Sequence, residues 1–174
     1  MTDAPVAPAF EAPNVGSGPN PCSLSALASE YAFVAFYFMR DHECTACRTQ
    51  VRRTRDRLDG FRARDAVPVA VLPQDRETAR SWQDEFELPF PLLADADSTV
   101  ASAYDQPVRL AFASDWADVF GRIPKVSVVD ARGAEPRITW TYTGKVVEDR
   151  PTTNEVLTAV DEARESERRP AART

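Results

Sequence analysis

Ala32-Phe33-Val34-Ala35-Phe36-Tyr37-Phe38 runs straight into Met39-Arg40-Asp41-His42-Glu43-Cys44-Thr45-Ala46-Cys47-Arg48. This junction, more than any other stretch, limits what the chain can become. The upstream run is apolar, aromatic and β-branched, as a strand buried on both faces requires. Downstream, Cys47, Val51, Thr54, Leu58 and Phe61 recur at steps of four, three, four and three, which is one face of an α-helix predicted over 45–64. The chain must therefore turn from a buried strand into an amphipathic helix with a C-x-x-C at the turn. Cys44 falls at the helix N-terminus, where unpaired backbone N–H groups and the helix dipole stabilise a thiolate. Cys47 lies one turn on, at the head of the buried stripe. One exposed, activated sulfur beside a half-buried partner is what thiol–disulfide chemistry needs.

The flanking pattern gives the junction a setting. Val67 to Leu72 is a second continuous apolar strand, and Asp75 caps a helix through about Glu87 marked by Ala79, Trp82 and Phe86. Pro89 and Pro91 bracket a loop to Leu92-Leu93, and a short helix follows over 98–104. The segment 106–121 shows no clear period; a helical turn near 115–120, with Trp116 lining an access groove, is the expectation there. Lys125 to Val129 is a third core strand, followed by a turn at Asp130-Ala131-Arg132-Gly133. Ile138, Trp140 and Tyr142 alternate with polar residues, as in a strand with one wet face. Trp82 and Trp140, on apolar stripes, are expected in the core. Thr152 and Glu155 form a capping box for a last helix carrying Val156, Leu157 and Val160. Residues 1–23, rich in Pro, Ala and Gly, read as an extended arm, with one helical turn over 24–29. The domain proper spans 24–163, and 164–174 is a charged, fraying tail.

The order β-α-β-α-(β-α)-β-β-α in 174 residues makes one α/β domain, and 43% hydrophobic residues suffice for its core. A net charge of −6 gives no electrostatic support to nucleic-acid binding. No signal-peptide pattern opens the chain and no apolar stretch is long enough to cross a membrane, so the expected compartment is the cytoplasm. Three cysteines do not make a disulfide scaffold. In a reducing compartment a close pair is catalytic or metal-binding. A closed zinc site needs four ligands, and the chain offers Cys22, Cys44, Cys47, the single His42 and carboxylates. A non-catalytic metal-binding or interaction module is thus a third reading, behind two redox ones. Cys22 reads as a small packed residue, or as a third thiol able to resolve an oxidised Cys44.

Phe38, Arg40, His42, Cys44, Cys47 and Arg48 meet the pattern F-x-R-x-H-x-C-x-x-C-R. With Ala7-Pro8-Ala9-Phe10, Leu88-Pro89-Phe90-Pro91-Leu92-Leu93-Ala94-Asp95 and Asp149-Arg150-Pro151, the chain resembles the redoxin or AhpC/TSA family of peroxiredoxin-like proteins in the thioredoxin superfamily. The likeness is nearest to redoxin-domain proteins of halophilic archaea, in keeping with nineteen Arg against two Lys. It implies a thioredoxin-like fold, a central mixed sheet in the order second, first, third, fourth strand with helices on both faces. It also implies that Cys44 attacks a hydroperoxide and forms a sulfenic acid, that Cys47 condenses with it, and that a thioredoxin-like donor restores the dithiol. No metal or organic cofactor is required, and the chain would act as a monomer or homodimer.

The departures matter. Glu43 is a like charge beside the thiolate, and Asp41 stands where peroxiredoxins carry Thr or Ser. Pro124 occupies the position of their arginine. Arg122, two residues earlier, could reach the site from there. Thioredoxins carry a cis-proline at the Pro124 position, facing the disulfide, so the resemblance implies a cis Ile123–Pro124 bond. That keeps a protein disulfide oxidoreductase as the alternative function. Arg40 and Arg48 are candidate thiolate stabilisers, and His42 a candidate for proton transfer.

Overall fold

A computed structural model of the chain describes residues 3–109 and 121–166. In chain order its elements are β1 (Glu11–Ala12), β2 (Cys22–Ser23), α1 (Leu24–Glu30), β3 (Phe33–Phe38), α2 (Thr45–Asp56), α3 (Leu58–Arg62), β4 (Ala66–Leu72), α4 (Arg76–Phe86), β5 (Leu92–Ala94), α5 (Thr99–Ala103), β6 (Val108–Arg109), β7 (Gly121–Arg122), β8 (Lys125–Asp130), β9 (Arg137–Thr143) and α6 (Thr153–Ser166). The turn expected over 115–120, Trp116 and the last residues of the tail lie outside the described residues.

The five-stranded sheet runs β5-β4-β3-β8-β9. The expected order of the four core strands holds, and β5 adds a short edge. β3 and β4 pair in parallel, while β8 runs antiparallel to β3. Every residue of β3 and β4 is buried, which accounts for their unbroken apolar sequence. Phe36 and Phe38 pack against the tilted ring of Tyr104 on one face of the sheet. Tyr37, between them, points to the other face, towards Thr54 of α2.

Pro68 sits inside β4 without breaking it. β5 pairs only with Ala70, Val71 and Leu72, and Ala70 N donates to Pro91 O, so the side of β4 on which Pro68 lacks an N–H faces no strand. The helix expected over 45–64 is divided at Arg57, which leaves helical geometry at φ −112° and ψ 19°. Just before the break, Thr54 donates its hydroxyl to Gln50 O, a contact that bends helices. Gly60 then allows α3 to meet α6, since a Cβ there would lie 2.9 Å from Leu157 Cδ1.

Residues 3–23 take their hydrogen bonds from both edges of the sheet. Ile138 N donates to Pro5 O and Ala7 N to Pro136 O at the start of β9. Val15 N donates to Leu92 O, and Ala94 N to Pro13 O, along β5. Unpaired strand edges invite association, and the arm covers part of each. Buried Asn14 organises its turn, donating from Nδ2 to Ser17 O and Pro19 O and accepting from Gly16 N and Leu92 N.

Among the described residues the cis peptide bond is Asn20–Pro21, and Ile123–Pro124 is trans. The cis bond implied by the thioredoxin likeness is therefore absent. The strand alone explains Pro124: it is buried immediately before β8, beyond the last paired residue Lys125, where no ladder N–H is needed.

Candidate active site

β3 ends at Phe38, and six residues later Cys44 caps α2. Its Sγ accepts the Cys47 N–H at 3.1 Å, so the sulfur takes the place of an N-cap oxygen. Three positions on, Cys47 turns back beneath it, and the two sulfurs close a disulfide with Cα atoms 5.2 Å apart. Cys47 is fully buried. Cys44 is only 9% exposed, the more accessible of the two but far less open than a helix N-terminus alone implies.

Two further donors converge on the sulfurs. Arg40 N–H donates to Cys47 Sγ at 3.3 Å. The guanidinium of Arg150 reaches Cys47 Sγ at 3.0 Å and Cys44 Sγ at 3.5 Å. Arg150 arrives from the loop between β9 and α6, more than a hundred residues away. It is fixed there by its own bonds to Gln50 Oε1 at 2.6 Å and Val147 O at 2.8 Å. Burial, and then the nearby Arg40 charge, pull its pKa down to about 10 against the opposing pull of Glu148, which leaves it a full cation at neutral pH. The loop is itself braced. Tyr142 OH bonds Asp149, and Asp149 Oδ2 accepts from Lys145 N.

The other residues singled out from the sequence are placed as follows. The Arg40 side chain lies beside Asp41, 3.7 Å away. His42 offers its carbonyl to Trp82 Nε1 at 3.0 Å and to Arg48 at 3.1 Å, while its ring Nδ1 is buried without a protein partner. Arg48 is engaged in holding α2 to α4: it bonds Glu85 and lies over the Trp82 and Phe86 rings at 5.7 and 5.2 Å. Arg122 ends β7, paired with Val108. Cys22 is fully buried in the core, and burial, with Glu30 adding to it, pushes its thiol up to about 11. Among the described residues no three His, Cys, Asp or Glu side chains are grouped to hold a metal ion.

Arg150 was not among the candidate site residues. Its only sequence signal was Asp149-Arg150-Pro151 before the last helix, which carries family likeness but no distance.

The disulfide-forming C-x-x-C thus stands at the end of β3, the central strand of the mixed sheet. A model of the AhpC/TSA family matches residues 5–134. The chain belongs to the AhpC/TSA family. The loop that carries Arg150 lies beyond that match. Among curated relatives, the peroxiredoxin Bcp of Bacillus subtilis (strain 168) is 30% identical over 73 residues, 42% of this chain and 46% of that protein. The chain thus spans about half the length of the curated relative it matches. Solved structures cover far more at lower identity. Peroxidoxin BcpB from Mycobacterium tuberculosis matches with a TM-score of 0.73 at 18% identity, over 93% of this chain and 97% of that one. The reduced 2-Cys peroxiredoxin of Plasmodium vivax matches with a TM-score of 0.74 at 16% identity, over 94% and 97%. At such identities these structures establish the thioredoxin-like fold of the family.

Proposed function

We propose that the chain is a thiol-dependent peroxidase that reduces hydroperoxides through the Cys44–Cys47 pair. The observation that carries this reading is the closed Cys44–Cys47 disulfide at the N-terminus of α2, with Arg150 donating to both sulfurs. In the reduced state Cys44 Sγ, capping the helix and facing Arg150, attacks the outer oxygen of the hydroperoxide. An S–O bond forms, the O–O bond breaks, and an alcohol or water leaves. The Cys47 thiol then attacks the sulfenic sulfur, releases water and closes the disulfide. An external thiol donor returns two electrons and restores the dithiol. No helix of the described residues is long and apolar enough to cross a membrane.

Cover over Cys44 favours this substrate. With Cys44 9% exposed, a small hydroperoxide meets less steric hindrance there than the disulfide of a folded protein, which must bring its own surface into contact. The oxidoreductase alternative drew its support from a cis Ile123–Pro124 bond, and that bond is trans. Mass spectrometry after one equivalent of hydrogen peroxide tests the proposal. The wild type should gain a Cys44–Cys47 disulfide, and Cys47→Ser should hold a sulfenic acid at Cys44. Unmodified protein, or oxidation first at Cys22, would refute it.

A further inference from the structure

On the side of Arg150 away from its sulfur contacts lies a cavity of about 270 Å³, whose lining includes Arg150 but neither cysteine. Its walls are Tyr37 of β3, the Thr49, Gln50 and Arg53 face of α2, and the approach to α6 from Glu148 to Thr153. Arg150 is a common wall, touching the sulfurs and lining the cavity at once. We propose that this cavity binds the carboxylate of a small thiol, and that this thiol is the reductant of the Cys44–Cys47 disulfide, in place of the thioredoxin-like protein expected from family resemblance. The proposal rests on the redox cycle above.

Two buried donors in the walls, Tyr37 OH and Gln50 Nε2, have no hydrogen-bond partner. The Tyr37 hydroxyl is buried with Thr54 beside it and closes no hydrogen bond of ordinary length. Gln50 gives its Oε1 to Arg150, and its Nε2 is buried with no acceptor. Among the described residues no carboxylate pairs with Arg53. The carboxylate in the lining is that of Glu148, an exposed side chain. Buried donors left unpaired are costly, and charge-assisted hydrogen bonds to an anion are the strongest way to satisfy them. The volume suits a carboxylate on a short chain and falls below the usual range for larger ligands, about 300–1,000 Å³.

The geometry of the sulfurs selects the reactant. The cavity is present with the disulfide closed, and what reacts with a disulfide is a reductant. Arg150 and Arg40 N–H both donate to Cys47 Sγ, the sulfur that must leave if a thiolate attacks the more accessible Cys44. The incoming thiolate forms a bond to Cys44 Sγ, the Cys44–Cys47 bond breaks, and its electron pair passes to Cys47 beside Arg150. A second thiolate attacks the sulfur of the bound thiol and releases Cys44. Two thiols become one external disulfide, and their two protons go to the cysteines or to solvent.

The test uses the full chain oxidised with hydrogen peroxide and freed of excess. Reduction by 3-mercaptopropionate and by 3-mercaptopropanamide is followed by quenched alkylation and mass spectrometry. Each rate is taken per thiolate and normalised to that thiol's rate with a small model disulfide. The acid should outpace the amide on the wild type. Tyr37→Phe should cut the acid-to-amide ratio about tenfold, and Arg53→Gln about three- to fivefold, the smaller effect reflecting its exposure. Arg53 is on the surface, so its variant carries the test if Tyr37→Phe fails to fold. Equal rates for the two thiols on the wild type, or a ratio unchanged in the variants, would overturn the proposal. Dithiothreitol, which is neutral, separates this from the failure of the peroxidase reading: if no Cys44–Cys47 disulfide forms for it to reduce, the redox cycle itself is wrong.

Discussion

Replacing Arg150 by Met should slow the chemistry of Cys44 while leaving the fold in place. The guanidinium lies 3.5 Å from Cys44 Sγ and 3.0 Å from Cys47 Sγ. Two unit charges about 4 Å apart at an effective dielectric constant near 20 attract by roughly 4 kcal/mol, which sets a ceiling. The desolvation that lowers the pKa of Arg150 to about 10 offsets part of this. A hydrogen bond to a charged group is worth about 1.5–3 kcal/mol net, which corresponds to a roughly 10- to 100-fold change in thiolate reactivity. The assay is alkylation of the reduced chain by iodoacetamide between pH 5 and 9, with Cys44 followed by mass spectrometry. Arg150→Met should react about 10- to 100-fold more slowly near neutral pH, and the gap should close at high pH, where both thiols ionise without help. Arg150→Lys should recover part of the rate, because it keeps the charge but not the fork that also bonds Gln50. Thermal melts by circular dichroism separate loss of rate from loss of fold. An Arg150→Met variant whose rate–pH profile overlays that of the wild type would refute the reasoning.

Two further outcomes follow from the core and the arm. The Cys22 thiol is raised from 9.0 to about 11, so above pH 9 the unfolded chain gives up a proton that the folded chain keeps. Stability should therefore fall between about pH 9 and 11, by up to roughly 3 kcal/mol, and Cys22→Ala should remove that part of the alkaline loss in denaturant titrations. An unchanged alkaline slope in Cys22→Ala would count against it. At Gly16 a Cβ would lie 2.6 Å from Leu92 N and closer still to Phe90 O, both backbone atoms that cannot swing away. Gly16→Ala should lift the Asn14 turn off β5, cost about 2 kcal/mol or more in chemical denaturation, and speed hydrogen exchange at Leu92 N–H. Exchange at Leu92 as slow as in the wild type would show that the arm absorbs the methyl group.

The strand–C-x-x-C–helix junction was fully legible in the sequence. Burial of β3 on both faces, the stripe beginning at Cys47 and the cap at Cys44 are local consequences of periodicity and backbone chemistry, and these act over a few residues. The same holds for Asp75, which accepts from Thr78 N, and for the reciprocal bonds of Thr152 and Glu155. The break at Arg57, the course of the arm along two sheet edges and the trans bond before Pro124 were not legible, since each depends on what lies across the fold. The same limit applied more strongly at the site. The spacing to Cys44 marked Arg40 and Arg48, yet Arg48 is taken up by Glu85 and two aromatic rings, and the guanidinium that meets the sulfurs is Arg150. Sequence alone determined where the two sulfurs would sit, because a helix turn brings positions three apart together. Only the tertiary structure decided which cation faces them and how far they are covered, because those contacts join segments a hundred residues apart, where local periodicity carries no information about distance.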